Sequence, residues 1–211
     1  QSVELLPGAS SALYGANAFN GILFMTSKNP FDSDGISTNL KRGITSQEAS
    51  GDNAYTDFSI RMAHKFSDKF AAKVNFGWLK GHDWAATSEV DSDIVGGTRA
   101  TNLNYNGINV YGDEVSTNIN GVAQFLESVG AIPAGASALV PSVAVSRTGY
   151  NEEALTDYNA ESIKADWGLY FRPFEDDFEI SYVGKMGTGT TMYQGINRYS
   201  IKNFFQEQHK L

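Results

Sequence analysis

The sequence contains no cysteine and no long apolar run among its 211 residues. Without cysteine it can form neither a disulfide framework nor a thiolate metal site, a composition that fits many bacterial envelope proteins. No apolar stretch approaches the roughly 18 residues that a transmembrane helix requires. The mean hydropathy of −0.29 therefore suits a soluble protein, and it also suits a membrane barrel, because alternating strands average out to polar.

Basic residues are scarce as well, with 16 Lys and Arg against 24 Asp and Glu and a net charge of −8. This balance argues against a nucleic-acid partner, since such proteins are basic. The deficit is local: residues 82–160 hold ten acidic and two basic side chains, and the rest of the chain holds fourteen of each. The sequence therefore divides into a neutral framework and one acidic insert.

The framework alternates with a period of two, which predicts two-faced β-strands. Apolar side chains dominate one parity of residues 58–66, and the same pattern continues at 70–78 after a short turn at 67–69. A second hairpin of this design is predicted at 163–171 and 178–186, around an acidic turn at 175–177. Weaker alternation at 36–44 and 198–211 brings the expected total to about six strands.

The acidic insert contains one helical pattern, at residues 121–130. Val122, Phe125, Leu126 and Val129 recur at i, i+3, i+4 and i+7, which is the spacing of one helix face. Asn118 or Asn120 can cap its start, and Gly130 with Pro133 can end it. This apolar stripe must be covered by the insert itself or by a partner, so we treat its four residues as a candidate contact surface.

Motifs for catalysis, cofactors or metals are missing from the sequence. The three histidines, His64, His82 and His209, lie far apart and lack partners at catalytic spacing. Asp91-Ser92-Asp93 lacks the further oxygen ligands of a calcium loop, which favours a solvated acidic segment. A Walker loop, a nucleophile elbow and a metalloprotease motif are also absent. We therefore expect no enzyme activity and no cofactor.

The N-terminal residues resemble the end of the plug domain of TonB-dependent outer-membrane receptors. That pattern runs G-x-x-S-x-L-Y-G-x-x-A-x-x-G-x-I-x-x-x-T-x-K, and ten positions follow it in order: Gly8, Ser11, Leu13, Tyr14, Gly15, Ala18, Gly21, Ile22, Thr26 and Lys28. The family usually has Asn-Ile where this chain has Phe24-Met25, a change that suits a buried strand. Residues 105–114 and 193–202 are similar to barrel sequences of Bacteroidetes-type receptors.

The resemblance implies an all-β fold in the bacterial outer membrane. Residues 1–30 would be the C-terminal end of the plug, with a structural and gating role for its motif. Residues 31–211 would be the N-terminal part of an antiparallel transmembrane β-barrel. Large transporters of this kind have about 22 strands around a plugged lumen, so about six strands are expected to be a fragment.

The barrel hypothesis also predicts an orientation, because outer loops are long and periplasmic turns are short. The turns at 67–69 and 175–177 would face the periplasm. The loops at 45–54, 82–160 and about 188–197 would face outward. Aromatic residues at the two sets of strand ends would form the interfacial girdles: Tyr55, Phe58, Trp78, Trp84 and Tyr193 at one end, and Phe66, Phe70, Phe174 and Phe178 at the other.

The function implied by the resemblance is energised uptake of a scarce nutrient, such as a siderophore, cobalamin, a glycan or a peptide. Partners would be the inner-membrane TonB complex, acting through residues upstream of this chain, together with outer-membrane lipid and lipopolysaccharide. A SusD-like lipoprotein lid is a further candidate partner. Two alternatives stay open: a receptor-like barrel that serves as a structural or interaction subunit, and a soluble β-sandwich binding module.

Overall fold

The computed structural model describes residues 2–7, 21–174, 178–195 and 197–211. About 55% of the chain lies in strands and 9% in helix, so the fold is all-β and its sheets are antiparallel. The strands in chain order are β1 (Ser2–Pro7), β2 (Gly21–Thr26), β3 (Gly35–Gln47), β4 (Gly51–Lys65), β5 (Phe70–His82), β6 (Val110–Tyr111), β7 (Ser116–Asn118), β8 (Ala144–Ser146), β9 (Tyr150–Asn151), β10 (Asn159–Phe171), β11 (Ile180–Gln194) and β12 (Arg198–Lys210).

One six-stranded sheet dominates the fold, in the order β12-β11-β10-β5-β4-β3. Each long strand pairs with its neighbour in the sequence, and only the β5–β10 pair spans the acidic insert. The predicted strands and both predicted hairpins are therefore confirmed, although the turn at 175–177 lies outside the described residues. Strands β3 and β12 are the edges of the sheet.

Two of the three predicted long loops are wrong. The loop expected at 45–54 is a turn of three residues, because β3 and β4 stay paired from Thr45↔Asn53 to Gln47↔Gly51. The loop expected at about 188–197 also shrinks, because β11 runs to Gln194 and β12 begins at Arg198. These strand ends carry polar Ser, Thr and Asn side chains, so they show no hydrophobic alternation. They still pair, because the hydrogen bonds between strands use only backbone groups. The third connection, between β5 and β10, runs over residues 83–158, close to the predicted bounds of 82–160.

A β-bulge marks the pairing of the last two strands. The register shifts between Gly189 and Thr191, and Asn203 is the extra residue on β12. Its φ of 53° lies in the left-handed region, which Asn tolerates better than most residues. The backbone N–H of Asn203 donates to Thr190 Oγ1 at 3.1 Å, so this irregular position keeps a hydrogen-bond partner.

The insert, residues 83–158, folds on itself with small elements. β6 pairs with β9 and β7 pairs with β8, and two 3-10 helices occur at Ala136–Leu139 and Glu152–Ala154. The predicted helix is confirmed as α1, Ile119–Ser128. None of the described helices has the length and apolar composition needed to cross a membrane.

Both ends of α1 are capped as the sequence indicates. The Asn118 side chain accepts from the backbone N–H groups of Asn120 and Gly121. Beyond the last turn, Gly130 has a φ of 73°, and its N–H donates to the Glu127 carbonyl. The Ala131 N–H donates to the Leu126 carbonyl at 2.9 Å, which completes a Schellman motif.

The N-terminal pair β1–β2 forms a small antiparallel sheet of its own. The expectation of a buried strand at residues 22–25 is wrong, since Leu23, Phe24 and Met25 are all exposed. In the described part of the chain, this pair stays outside the six-stranded sheet, so its apolar side chains remain in contact with solvent.

Candidate functional site

The six-stranded sheet has one apolar face and one polar face, because side chains alternate along each strand. The register aligns Ile60 with Phe76 and Val74 with Trp167 across neighbouring strands. The expected apolar residues all fall on this face: Phe58, Ile60, Val74, Phe76, Trp167, Leu169 and Ile180. Arg61, Lys73, Asn75 and Lys164 lie on the opposite face.

The apolar face has no second layer over it in the described structure. Val74, Leu169 and Ile180 each retain more than two fifths of their exposure, and Leu40 on the edge strand is 68% exposed. Monomeric soluble proteins rarely leave a whole apolar sheet face in contact with water. This face is therefore suited to contact something other than water.

Strand β12 is the least apolar part of that face. Glu207 and His209 both project to it, and His209 Nε2 lies 2.8 Å from Glu207 Oε1. His209 Nδ1 also meets the Tyr182 hydroxyl at 2.6 Å, and the two rings stack. Glu207 and His209 on this edge strand are thus paired with each other, and His209 is paired also with Tyr182 on β11.

The polar face is partly covered by the segment that joins β2 to β3. Lys73 is buried, and its Nζ donates to Ser27 Oγ at 2.6 Å and to the Lys28 carbonyl at 3.0 Å. Arg61 donates to the Ser33 carbonyl at 2.8 Å. Both cations hold residues 27–33 against the sheet, so the chain leaves the N-terminal region on the polar side.

A row of polar side chains crosses the same face next to this segment. The Asn75 amide donates to Asp166 Oδ1 at 2.6 Å. Lys185 is the cross-strand partner of Asp166, and Lys164 lies diagonally across the same strand pair. No carboxylate of the described residues pairs with Lys164 or Lys185, and both border an open groove between β10 and β12.

Buried carboxylates organise the interior of the insert. Asp113 is fully buried, its Oδ2 accepts from the Gly107 N–H at 2.7 Å, and Arg99 lies 3.7 Å away. The Arg99 guanidinium stacks over the Tyr105 ring at 4.6 Å. Arg99 is one of only two basic residues in the insert, and it therefore serves to neutralise a buried acid.

Asp91 contradicts the expectation of a solvated acidic segment, because it is only 4% exposed. Its Oδ2 accepts from the Asn102 side chain at 2.6 Å, and its Oδ1 accepts from the Asp93 N–H at 3.0 Å. The Asn102 hydrogen bond, helped by backbone N–H groups and opposed by burial, lowers the pKa of Asp91 below its ordinary value of 3.8. The carboxylate thus acts as a structural acceptor that closes a turn.

A second buried ion pair fastens the insert to the sheet. Arg198, the first residue of β12, places Nε 2.6 Å from Glu152 Oε2, and both side chains are almost completely buried. Glu152 also accepts from the Tyr111 hydroxyl at 2.7 Å and from the Ala86 N–H at 3.2 Å. The Arg198 guanidinium stacks on the Trp84 ring at 3.9 Å and donates to the Trp84 carbonyl.

We call this group, made of Glu152, Arg198, Trp84 and Tyr111, the clasp. The clasp joins the beginning of the insert (Trp84) and its end (Glu152) to the first residue of β12 (Arg198). Asp83 adds to the same junction by accepting from Thr191 Oγ1 at 2.9 Å and from the Met192 N–H at 2.6 Å. Sequence reasoning placed Trp84 in an interfacial girdle and missed the roles of Glu152, Arg198 and Tyr111, because their contacts join parts of the chain that are distant in sequence.

Tyr158 lies beside the clasp with a φ of 55°. Burial, together with the nearby Glu152 carboxylate, raises the pKa of Tyr158 far above its ordinary value of 10.0. Its hydroxyl is buried beside the Glu152 carboxylate. The Tyr158 hydroxyl therefore adds to the buried polar groups around Glu152 at the junction of sheet and insert.

The predicted plug motif is only partly visible. Gly8, Ser11, Leu13, Tyr14 and Gly15 lie outside the described residues. Gly21 opens β2 with a φ of 146°, and a Cβ there would approach the Leu6 carbonyl oxygen to 2.9 Å. Both observations require glycine at this one position.

The predicted contact stripe on α1 is largely open. Val122, Phe125 and Val129 are exposed and Leu126 is half-buried, whereas Ala123 is the buried residue of the helix. The helix rests on β7 and on the 3-10 turn at 136–139, where Glu127 accepts from the Gly135 N–H at 2.7 Å. The insert therefore leaves most of this stripe uncovered.

No three His, Asp or Glu side chains of the described ranges gather into a group that could hold a metal ion. His64 contacts Asp34 at the surface, with Nδ1 3.2 Å from Oδ2, and His82 meets the Asp83 carbonyl. Comparison with protein-family models, curated proteins and solved structures gives no match.

Proposed function

We propose that this chain forms part of the wall of an outer-membrane β-barrel that serves as a TonB-dependent receptor for energised uptake of a nutrient. The uncovered apolar face of the sheet is the observation that carries this proposal. Lipid would cover that face, since a barrel wall presents apolar side chains outward and polar ones to its lumen. Strict pairing of sequence neighbours in the sheet also suits an up-and-down barrel.

The dimensions of the apolar face support a membrane location. Phe70 and Trp78 stand near its two limits on β5, and the eight steps between them, at about 3.4 Å each, span roughly 27 Å before tilt is considered. The apolar band of outer-membrane barrels is about 25 Å tall. Trp78 donates from Nε1 to Glu161 Oε1 at 2.8 Å, as suits an aromatic side chain at an interface.

The polar face would line the lumen. The segment 27–33 lies on this face through Lys73 and Arg61, as expected if residues 1–30 are the end of a plug. The insert would then stand outside the cell. The TonB complex, a SusD-like lid and the nutrient class all belong to this proposal.

The soluble β-sandwich is less well supported. A sandwich buries the apolar face of each sheet against a second sheet about 10 Å away. The other sheets of the described chain have two strands each, and the apolar face stays exposed. Sandwiches also commonly use Greek-key connections, whereas this sheet is a meander.

Adjacent residues of β4 give a matched test of the lipid-facing assignment. Ile60→Arg places a charge on the apolar face, and Ser59→Arg places the same charge on the polar face. In lipid bilayers, Ile60→Arg should destabilise the folded protein by about 2–4 kcal/mol, and Ser59→Arg by less than about 1 kcal/mol. Urea titration of the complete barrel protein in vesicles, carrying each substitution, measures both. Equal effects would remove the basis for the barrel.

Uptake itself needs a separate test. Growth on a limiting nutrient should depend on the intact gene if the protein transports. The Ile60→Arg result does not depend on this outcome, so a barrel without transport would be recognised as such.

The exposed stripe of α1 supports the second candidate, an interaction subunit of an envelope complex. Replacing Phe125 and Val129 with serine should leave the fold intact, because both side chains are exposed. Loss of a co-purifying envelope protein in this variant, with growth unchanged, would favour the interaction role. Gln124→Ser, also on an exposed part of α1, is the matched control.

A further inference from the structure

A groove of about 400 Å³ runs along the polar face of the sheet, over strand β11. The strand pairing sets its shape, because Gly187 is opposed by Lys164 on β10 and by Gln206 on β12. The two outer strands lie roughly 9.5 Å apart, since each strand spacing is about 4.8 Å. Lys164 and Gln206 therefore form the two walls of the groove, and Gly187 forms the floor between them.

The floor is open because Gly187 carries no side chain. Its φ is not in the left-handed region, and a Cβ added there would come no closer than 3.8 Å to the Ile163 carbonyl oxygen and to Lys164 Cγ. Neither the backbone conformation nor a packed neighbour excludes a side chain at this position. Gly189, two residues further along β11, extends the same uncovered floor.

Two lysines give the groove a positive charge. Lys164 and Lys185 both line it and are exposed, and neither has a carboxylate partner in the described ranges. Lys185 lies diagonally from Lys164 across the β10–β11 pair, a relation that separates Cα atoms by about 7–8 Å. Two flexible ammonium groups at this spacing can reach the same anionic group.

Asp166 is the one acidic residue of the described lining. Its Oδ1 already accepts from the Asn75 amide at 2.6 Å, and the residue is half-buried. Two exposed ammonium groups therefore face one engaged carboxylate, and the groove keeps a net positive charge.

The wall formed by β12 supplies an aromatic ring and two amides. Phe204, Gln206 and Gln208 occupy alternate positions of this strand, so they share the polar face. Phe204 is 57% exposed and lines the groove, as do both glutamines. The ring offers an apolar surface, and the amides can both donate and accept hydrogen bonds.

We propose that this groove binds a sugar carboxylate of the uronic acid class. The carboxylate lies between Lys164 and Lys185. The hydroxyl groups face the amides of Gln206 and Gln208, and one face of the sugar ring lies against Phe204. The inference rests on the proposed function, because it assigns a nutrient class to the receptor and places the site on the luminal side of its wall.

Isothermal titration calorimetry of the complete barrel protein in detergent micelles tests the site with glucuronate, glucose and acetate. Glucuronate should bind saturably. Glucose, which lacks the carboxylate, and acetate, which lacks the ring and its hydroxyl groups, should each bind at least about tenfold more weakly. Equal affinity for either control, or no saturable heat with glucuronate, would overturn the proposal.

The binding site can fail separately from the proposed function. If Ile60→Arg shows a lipid-facing wall and glucuronate does not bind, the site is wrong and the barrel stands. If glucuronate binds and growth does not depend on the gene, transport is wrong and the site stands.

Charge variants locate the bound carboxylate. Lys164→Gln and Lys185→Gln should each weaken glucuronate binding roughly fivefold. Lys80→Gln removes the same charge from an exposed lysine on the opposite face of the sheet, and it should have no effect. Equal losses in all three variants would indicate general charge attraction, against the proposal.

Filling the floor of the groove tests the site with its charges in place. Gly187→Leu should abolish glucuronate binding and leave the melting temperature largely unchanged, because its Cβ meets no atom closer than 3.8 Å. Gly77→Leu is the matched control, since Gly77 lies on the same face outside the groove and the nearest atom to its Cβ is at 4.0 Å. Unchanged binding in Gly187→Leu, or an equal loss in Gly77→Leu, would contradict the assignment.

Discussion

The indole of Trp167 covers the backbone of Gly184, its directly opposed partner on β11. A Cβ added at Gly184 would lie 2.3 Å from the indole carbons Cε2 and Cζ2. The φ of Gly184 is not in the left-handed region, so the backbone conformation does not require a glycine there. The reason for the glycine is the Trp167 ring, which leaves no room for a side chain. Cross-strand aromatic cover of glycine is a means by which sheets fix their register.

This contact predicts unequal effects for two alanine substitutions on one strand. Gly184→Ala should displace the Trp167 ring and destabilise the protein by about 1–3 kcal/mol. Gly187→Ala should be neutral or slightly stabilising, because the nearest atom to its new Cβ is the Ile163 carbonyl oxygen at 3.8 Å. Melting temperature and the tryptophan emission maximum report both. Equal losses at the two positions would contradict the role of the ring.

The clasp predicts local unfolding of the insert when its cation is removed. Arg198→Ala leaves Glu152 buried without a counter-ion, which should cost about 3–5 kcal/mol. Lys202→Ala is the control, because its pair with Asp157 spans 3.8 Å at the surface and should contribute less than about 1 kcal/mol. Hydrogen exchange should show faster exchange across residues 83–158 in Arg198→Ala only. Unchanged protection in that variant would show that other contacts hold the insert.

The proposed membrane topology predicts selective labelling, without background from the chain itself because it has no cysteine. Val95→Cys lies on a fully exposed part of the insert and should react with an impermeant maleimide on intact cells. Lys69→Cys, in the short turn between β4 and β5, should react only after the outer membrane is permeabilised. The reverse pattern would invert the proposed orientation.

Acid should loosen the insert through Asp91. Because the folded pKa of Asp91 is lowered, the unfolded state binds the proton more readily, and the stabilisation is present above the ordinary value of 3.8. It is lost as the pH falls through the folded value. Protection of residues 91–102 in hydrogen exchange should thus be constant from about pH 7 to about pH 5 and decline below about pH 4. Asp91→Asn should reduce that decline; an unaltered profile would assign it to other acids.

The sheet was predictable from sequence because its signal is local. Alternation at residues 58–66 or 163–171 specifies both a strand and its faces, and Asn118 with Gly130 specifies both ends of α1. The strand ends at 45–47 and 51–54 were missed because their polar side chains do not alternate. Glu152 and Arg198 lie 46 residues apart, and their pairing depends on how β12 meets the insert, which no periodicity encodes.

The sequential order of the sheet has a consequence for the rate of folding. Strands β3 to β5 and β10 to β12 are joined by short connections, so each half can form from local contacts. The β5–β10 seam instead closes over the whole of residues 83–158, and loop-closure entropy must be overcome before its hydrogen bonds form. We expect two three-stranded units to appear early and to join in a slower step, during which each presents β5 or β10 as an additional open edge.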